Sequence, residues 1–283
     1  MIEKHATMQQ SKLEAFRRLH TNPGSFVIPH PWVAGSARIL TTLGFEALAT
    51  TSAGFAFAFS IGRWDMGGGV ARQQILDYAR SIVEATHLPV SADLQNGFGH
   101  APEACADTMR AACEVGLAGG SIEDSTGDVR KPIYDFEHAV ERIHAASEAA
   151  GPLGVLLTAR AENFLWARFD LDDTIRRLTA YSRAGADVLY APGLPTLDAI
   201  RAVCSSVDKP VNVVMGLRGP AFTIDQLREA GLKRVSVGGS FARAAIAALI
   251  RAATEVKEHG TFTYSGDAVS HAEATSCMRS AAD

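Results

Sequence analysis

The sequence predicts an α/β chain folded as a (β/α)8 barrel of the TIM type, and three observations carry that expectation. Short apolar runs alternate with helix-length amphipathic stretches from about residue 25 to residue 260 without a break. Eight such units in that length is the arithmetic of a closed parallel barrel. The runs are apolar throughout instead of alternating with polar residues, as strands buried on both faces must be. An open doubly wound sheet is the structural competitor.

Taken in order, residues 1–24 carry one helical pattern (Leu13, Phe16, Leu19), expected to lie against the outside of the fold. Phe26-Val27-Ile28-Pro29 reads as the first strand, with a short helix over 36–43. Ala47-Leu48-Ala49-Thr50-Thr51-Ser52 is the second, leading through a long loop into a helix over 70–86. The third strand, 89–94, precedes a helix at 102–115 that opens on Pro102, a residue suited to the first helical position. Strands at 120–124, 155–160, 187–190, 210–215 and 234–239 follow, with helices at 136–150, 172–184, 196–204, 224–230 and 241–257. Ala184-Gly185 and Ala230-Gly231 suit helix C-caps, and Gly116 and Gly151 stand in similar places. No linker divides residues 25–260, so they form one catalytic domain between a helical extension (1–24) and a polar, Ala/Ser-rich tail (261–283), expected to be poorly ordered. The last helix is small and apolar around much of its circumference, which argues for burial on two sides and hence a subunit contact.

Composition narrows the function. Of 283 residues, 47% are hydrophobic and 20% charged, the balance of a globular protein. The net charge of −4, with no Arg/Lys run, argues against nucleic acid or an anionic membrane as partner. No apolar stretch exceeds strand length, and residues 1–24 lack the core of a signal peptide, so a cytoplasmic location is expected. Cys105, Cys113, Cys204 and Cys277 are scattered without zinc-site spacing and read as free thiols.

The chemistry lies at the carboxyl ends of the strands, the end where barrel active sites are built. Strand two delivers Thr51, Ser52, Ala53 and Gly54, with Arg63 and Asp65 in its loop; strand three delivers Asp93, Gln95 and Asn96. Strand four adds Glu123 and Asp124, strand five Arg160 and Glu162, strand seven Asn212. One strand-end carboxylate alone is as well explained by capping a turn. Recurrence on successive strands is not, because those ends meet at one rim. Carboxylate and amide oxygens without imidazole or thiolate suit a hard ion such as Mg²⁺. A guanidinium among them suits bidentate capture of a carboxylate or phosphonate, and backbone N–H groups at Ser52-Ala53-Gly54 suit an anion's other end.

Specific segments recur in a known order. Ser36-Ala37-Arg38 follows the first strand and Gly44-Phe45 precedes the second; Ser91 to Gly99 resembles an Asp-x-Asp-x-Gly-(Tyr/Phe)-Gly motif, Ile122-Glu123-Asp124 a metal-shell Glu-Asp, and Ala159-Arg160 a substrate-binding Ala-Arg. Together, over about residues 25–258, they resemble the isocitrate lyase/phosphoenolpyruvate mutase superfamily. The resemblance implies Mg²⁺ (or Mn²⁺) bound by Asp93, Glu123 and Gln95, with Asp65 near the ion. It implies Arg160 on a substrate carboxylate, and Ser52, Ala53 and Gly54 at the oxo-acid end. Asp65, Arg160 and Glu123 are the expected catalytic residues; Gln95 and Asn212 join the substrate contacts. It also implies a last helix exchanged between protomers, in a homodimer or homotetramer.

Three departures shape the expected reaction. Gln95 stands where the motif has its second Asp; residues 125–132 lack a Lys-x-Cys-Gly segment; and Tyr190-Ala191-Pro192 offers neither Glu nor His. Retro-aldol cleavage of a 2-hydroxy acid needs a base and an acid, whereas decarboxylation of a 2-oxo acid needs chiefly a polarised oxo group. The expectation is thus an Mg²⁺-dependent lyase on a small 2-oxo or 2-hydroxy carboxylate, by carbon–carbon cleavage or decarboxylation through an enolate. The alternatives are phosphorus–carbon chemistry on a phosphonopyruvate-like substrate, and a non-catalytic barrel that only binds 2-oxo acids.

Overall fold

The computed structural model of the chain describes residues 2–61, 70–217 and 219–279. Eight strands lie in one parallel sheet: β1 (Phe26–Ile28), β2 (Leu48–Ala49), β3 (Val90–Asp93), β4 (Gly119–Glu123), β5 (Leu156–Arg160), β6 (Val188–Tyr190), β7 (Val211–Val214) and β8 (Arg234–Ser236), in the order β1-β8-β7-β6-β5-β4-β3-β2. The two ends of that series meet, because the Ala49 amide donates to the Pro29 carbonyl at 3.0 Å. The sheet is therefore a closed barrel, and the open arrangement is excluded.

The helices are α1 (Ile2–Thr21), α2 (Ala34–Thr42), α3 (Ser52–Ala58), α4 (Arg72–Glu84), α5 (Pro102–Glu114), α6 (Phe136–Ala150), α7 (Leu171–Arg183), α8 (Leu197–Ser206), α9 (Ile224–Glu229), α10 (Ser240–His259) and α11 (His271–Met278). Their starts follow local chemistry. Pro102 opens α5, Asp170 accepts from the Asp173 amide at 2.8 Å to cap α7, and Thr223 with Gln226 forms a reciprocal capping box on α9. The core lies between strands and helices: Leu157, Ala159, Leu189 and Val235 on the sheet meet Met109, Ile143, Leu178 and Ile200, all buried. Each such leucine or isoleucine contributes about 2 kcal/mol by leaving water.

Three elements depart from expectation. α1 does not lie along the outside; it closes the amino-terminal mouth of the barrel. Phe16 and His20 pack edge-to-face, His20 does the same with Phe26 at the foot of β1, and Gln9 donates to the Leu117 carbonyl just before β4. α3 replaces the start of the loop after β2. Finally, the tail contains α11, opened by a Ser270/Glu273 capping box and docked on α2 through Arg38, which donates to the Met278 carbonyl at 3.0 Å. By contrast α10 is nearly bare: only Ala242 is buried, while Leu249 and Ile250 are 68% and 58% exposed. Among the described residues no helix is long and apolar enough to cross a membrane.

Candidate active site

β3, β4 and β5 are consecutive in the sheet, and their pairing places Glu123 beside Arg160 and Arg160 beside Tyr190. Side chains two residues apart on a strand share a face, so the last inward residues of the three strands converge at the carboxyl end. Arg160 is the hub. Its Nη1 lies 3.2 Å from Asp93 Oδ1, its Nη2 3.2 Å from Glu123 Oε2, and its Nε 2.8 Å from Glu162 Oε1. The ring of Tyr190 lies with its centroid 5.0 Å from the guanidinium carbon.

Asp93 is fixed from two more sides. Its Oδ2 accepts from the Ser52 amide and its Oδ1 from the Gln95 amide, each at 3.2 Å, and its own amide donates to Thr50 Oγ1. The Ser52 contact explains why α3 forms: its first N–H is satisfied by a carboxylate arriving from another strand. Gln95 takes a left-handed conformation (φ 54°), as does Phe98 (φ 59°), so the chain turns sharply straight after β3. Arg142, buried on α6, donates to the carbonyls of Asn96, Gly99 and His100 and stacks over Tyr134, which fixes that turn from below.

Burial dominates the electrostatics. It pushes the Glu123 carboxyl well above the usual carboxylate range, reinforced by Glu162, Asp93 and Asp124 and opposed by Arg160. Burial raises Glu162 as well, against the pull of Arg160. Burial alone would lower Arg160, but Glu162, Glu123 and Asp93 hold it well above its ordinary value, so it stays charged. With all three acids ionised, the cluster carries three negative charges against one positive.

Two cavities meet at this cluster. An outer one of about 870 Å³ is walled by Gln95, Asn96, His100, Glu123, Arg160 and Trp166, among others. An inner one of about 430 Å³ runs into the barrel past Ser52, Ala53, Asp93, Arg160 and Asn212. Of the residues expected from sequence, Asp93, Glu123, Arg160, Gln95, Ser52, Ala53 and Asn212 thus meet around one space. Gly54 lies off both walls, and a Cβ there would meet Thr51, Trp32 and Tyr78. Asp65 and Arg63 lie outside the described residues. Asp124 serves elsewhere: it accepts from Tyr181 at 2.7 Å, from the Glu162 amide at 2.8 Å and from Arg177 at 3.2 Å. It anchors the segment after β5 to α7.

Two residues take a larger part than sequence reasoning gave them. Glu162 is a full member of the cluster, and its position two residues after Arg160 was the signal that could have found it. His30 lines the inner cavity, and burial pushes it down to about 3, so it is neutral. Gly239 is needed for packing, because a Cβ there would lie 2.9 Å from that of Ala53.

Known proteins share this sequence pattern and this fold. The model of the phosphoenolpyruvate phosphomutase family matches residues 16–257. The 2-methylisocitrate lyase of Escherichia coli (strain K12) is 31% identical over 225 residues, 77% of this chain and 75% of that protein. A candidate lyase/mutase from Burkholderia cenocepacia J2315 superposes with a TM-score of 0.93 at 52% identity, covering 97% of this chain and 98% of that one. 2,3-Dimethylmalate lyase superposes with a TM-score of 0.83 at 26% identity, covering 95% of each chain. The chain is therefore an enzyme of the phosphoenolpyruvate phosphomutase family, within the isocitrate lyase/PEP mutase superfamily of lyases and mutases.

Proposed function

We propose that this enzyme is a divalent-metal-dependent lyase that breaks a carbon–carbon bond in a small 2-oxo or 2-hydroxy carboxylate. The observation that carries the reading is the Arg160 cluster: three acids from β3, β4 and the end of β5 around one guanidinium, on the wall of a cavity at the carboxyl end of the barrel. The names of two relatives, 2-methylisocitrate lyase and 2,3-dimethylmalate lyase, point to the same substrate class.

The donor chemistry fits a hard cation. Asp93, Glu123 and the Gln95 amide offer oxygen only, and the cluster's surplus of negative charge favours a dication. Among the described residues no group of three or more His, Cys, Asp or Glu side chains stands in ligating positions; the Arg160 guanidinium lies between the acids. Asp93, Glu123 and Gln95 would hold Mg²⁺ or Mn²⁺, which when bound polarises an oxo group and stabilises an enolate.

The chain's own groups supply the rest. With one N–H of each Arg160 Nη directed at Asp93 and Glu123, the second N–H on each would be left for a substrate carboxylate, and Glu162 keeps the guanidinium oriented through Nε. Residues 125–132 carry no thiol to protonate a departing enolate, and Tyr190 replaces an acid or imidazole at the end of β6. A reaction with few proton transfers, such as decarboxylation or simple cleavage of an oxaloacetate-like acid, asks least of this lining. The test is release of pyruvate or CO₂ from a panel of four- to six-carbon oxo and hydroxy diacids, with and without Mg²⁺. Metal-dependent release is expected, and no release from any member overturns the reading. Because the matching family is that of a phosphomutase, phosphonopyruvate belongs in the panel, followed by phosphorus NMR; turnover of it alone would place the enzyme in phosphorus–carbon chemistry instead.

A further inference from the structure

Below the Arg160 cluster the barrel interior departs from the usual filling of bulky branched side chains. Ser91, Ser121, Asn212 and Ser236 line the inner cavity, and so does Arg234, which is buried at the foot of β8. Among the described residues its guanidinium has only neutral partners. Nε donates to Asn212 Oδ1 at 2.9 Å, Nη2 to Thr158 Oγ1 at 3.1 Å, and Nη1 faces His20 Nε2 at 3.2 Å. His20 Nδ1 lies 2.8 Å from the Phe16 carbonyl, so the ring hydrogen sits there and Nε2 offers its lone pair. Burial and the Arg234 charge push His20 down to about 3, which keeps it neutral.

The other buried arginines are arranged differently. Arg160 and Arg177 face carboxylates; Arg142, like Arg234, meets neutral acceptors, the backbone carbonyls of Asn96, Gly99 and His100, but its side chain lines neither cavity. Arg234 engages three of a guanidinium's five N–H donors and meets no acid among the described residues. A buried charge is tolerated when it is paired, and the space beside this one is continuous with the wall that carries Asp93 and Arg160.

We propose that Arg234 is the counter-charge for a small anionic group held inside the barrel, either the far carboxylate of a dicarboxylic substrate or a free inorganic anion. The first source rests on the lyase reading above; the second does not. Its binding is measured without turnover, so a failed activity assay leaves the result readable.

The experiment compares wild type with Arg234→Met by calorimetric titration of succinate and of pyruvate, and by melting in sodium chloride against sodium gluconate at equal ionic strength. If the substrate supplies the anion, succinate affinity falls at least tenfold in the variant while pyruvate affinity holds. If a free anion does, chloride raises the wild-type melting temperature and not that of the variant, with both acids binding as before. Equal succinate, pyruvate and chloride responses in the two proteins overturn the proposal and leave Arg234 as a tie between α1 and the barrel floor. Should Arg234→Met not fold, wild-type crystals soaked in succinate and in sodium bromide decide. Density or an anomalous peak within hydrogen-bond reach of the guanidinium supports the proposal, and its absence from both soaks overturns it.

Discussion

Replacing Arg160 by methionine tests the cluster as a unit. The substitution keeps the apolar stem and removes the charge that Asp93, Glu123 and Glu162 share at 2.8–3.2 Å. At 3.2 Å and an effective dielectric of about 20, one such pair amounts to about 5 kcal/mol before solvation is set against it. Removing one partner of a buried pair costs about 3–5 kcal/mol in practice. Here two of the acids, already shifted upward, can take up protons and recover part of that loss. A net destabilisation of about 3 kcal/mol at pH 8 follows. Its pH dependence has a definite sign. Without the guanidinium the folded-state values of Glu123 and Glu162 rise further above the unfolded value of 4.5. The stability contributed by these raised groups is present below that value and is lost as pH rises through the folded one. The deficit relative to wild type is therefore small near pH 5 and grows toward pH 8. Urea unfolding followed by circular dichroism at both values measures it. A variant as stable as wild type at pH 8, or a deficit larger at pH 5, refutes the shared-charge account.

Four further outcomes follow from the same structure. Burial raises the Glu123 carboxyl and a metal binds only its ionised form, so Mg²⁺ affinity is expected to rise with pH; titration in buffers of different ionisation enthalpy reads any proton released, and Glu123→Gln is expected to reduce that release. Gln95→Asp suits a left-handed position and adds a carboxylate, so it tightens Mg²⁺ binding about tenfold while lowering metal-free stability by about 1 kcal/mol at pH 8. Gly97→Ala places a Cβ 2.8 Å from Cys105 Sγ and 3.1 Å from its Cα at φ +76°, for a loss of about 2–4 kcal/mol in denaturant unfolding. Leu249 and Ile250 on α10 are bare, so light scattering is expected to give a dimer or tetramer, and Ile250→Asp to shift it toward monomer.

The barrel was legible because its signals are local and repeated. In β5, Leu157 and Ala159 face the helices while Thr158 and Arg160 face inward, and the strand's length and junctions read directly from sequence. Asp93, Glu123 and Arg160 were legible for the same reason, each closing a strand. What escaped depends on contacts distant in sequence. α3 is stabilised by Asp93, forty-one positions away, and its Ser-Ala-Gly-Phe-Ala-Phe-Ala sequence carries no capping side chain of its own. The role of α1 as a plug rests on His20 meeting Phe26 and Arg234. α11 was a different omission: Ser270-His-Ala-Glu273 is a capping box in plain sight, obscured by the polarity of the tail around it.

The polar barrel interior and the apolar layer outside it are two halves of one arrangement. Charged groups taken out of water destabilise a fold unless they are paired. Among the described residues the buried Arg177 is paired with Asp124 outside the strands, whereas inside them three acids surround Arg160 and Arg234 meets none. The stability that tolerates them comes from the shell between strands and helices, where Met109, Ile143, Leu178, Ile200 and Leu227 are buried. A barrel so divided can hold an electrostatically unbalanced interior without unfolding, and the imbalance has a direction. Among the described residues, three acids gather around the single guanidinium of Arg160 while Arg234 meets no acid, and the proposed metal ion with an elongated anion would complement both.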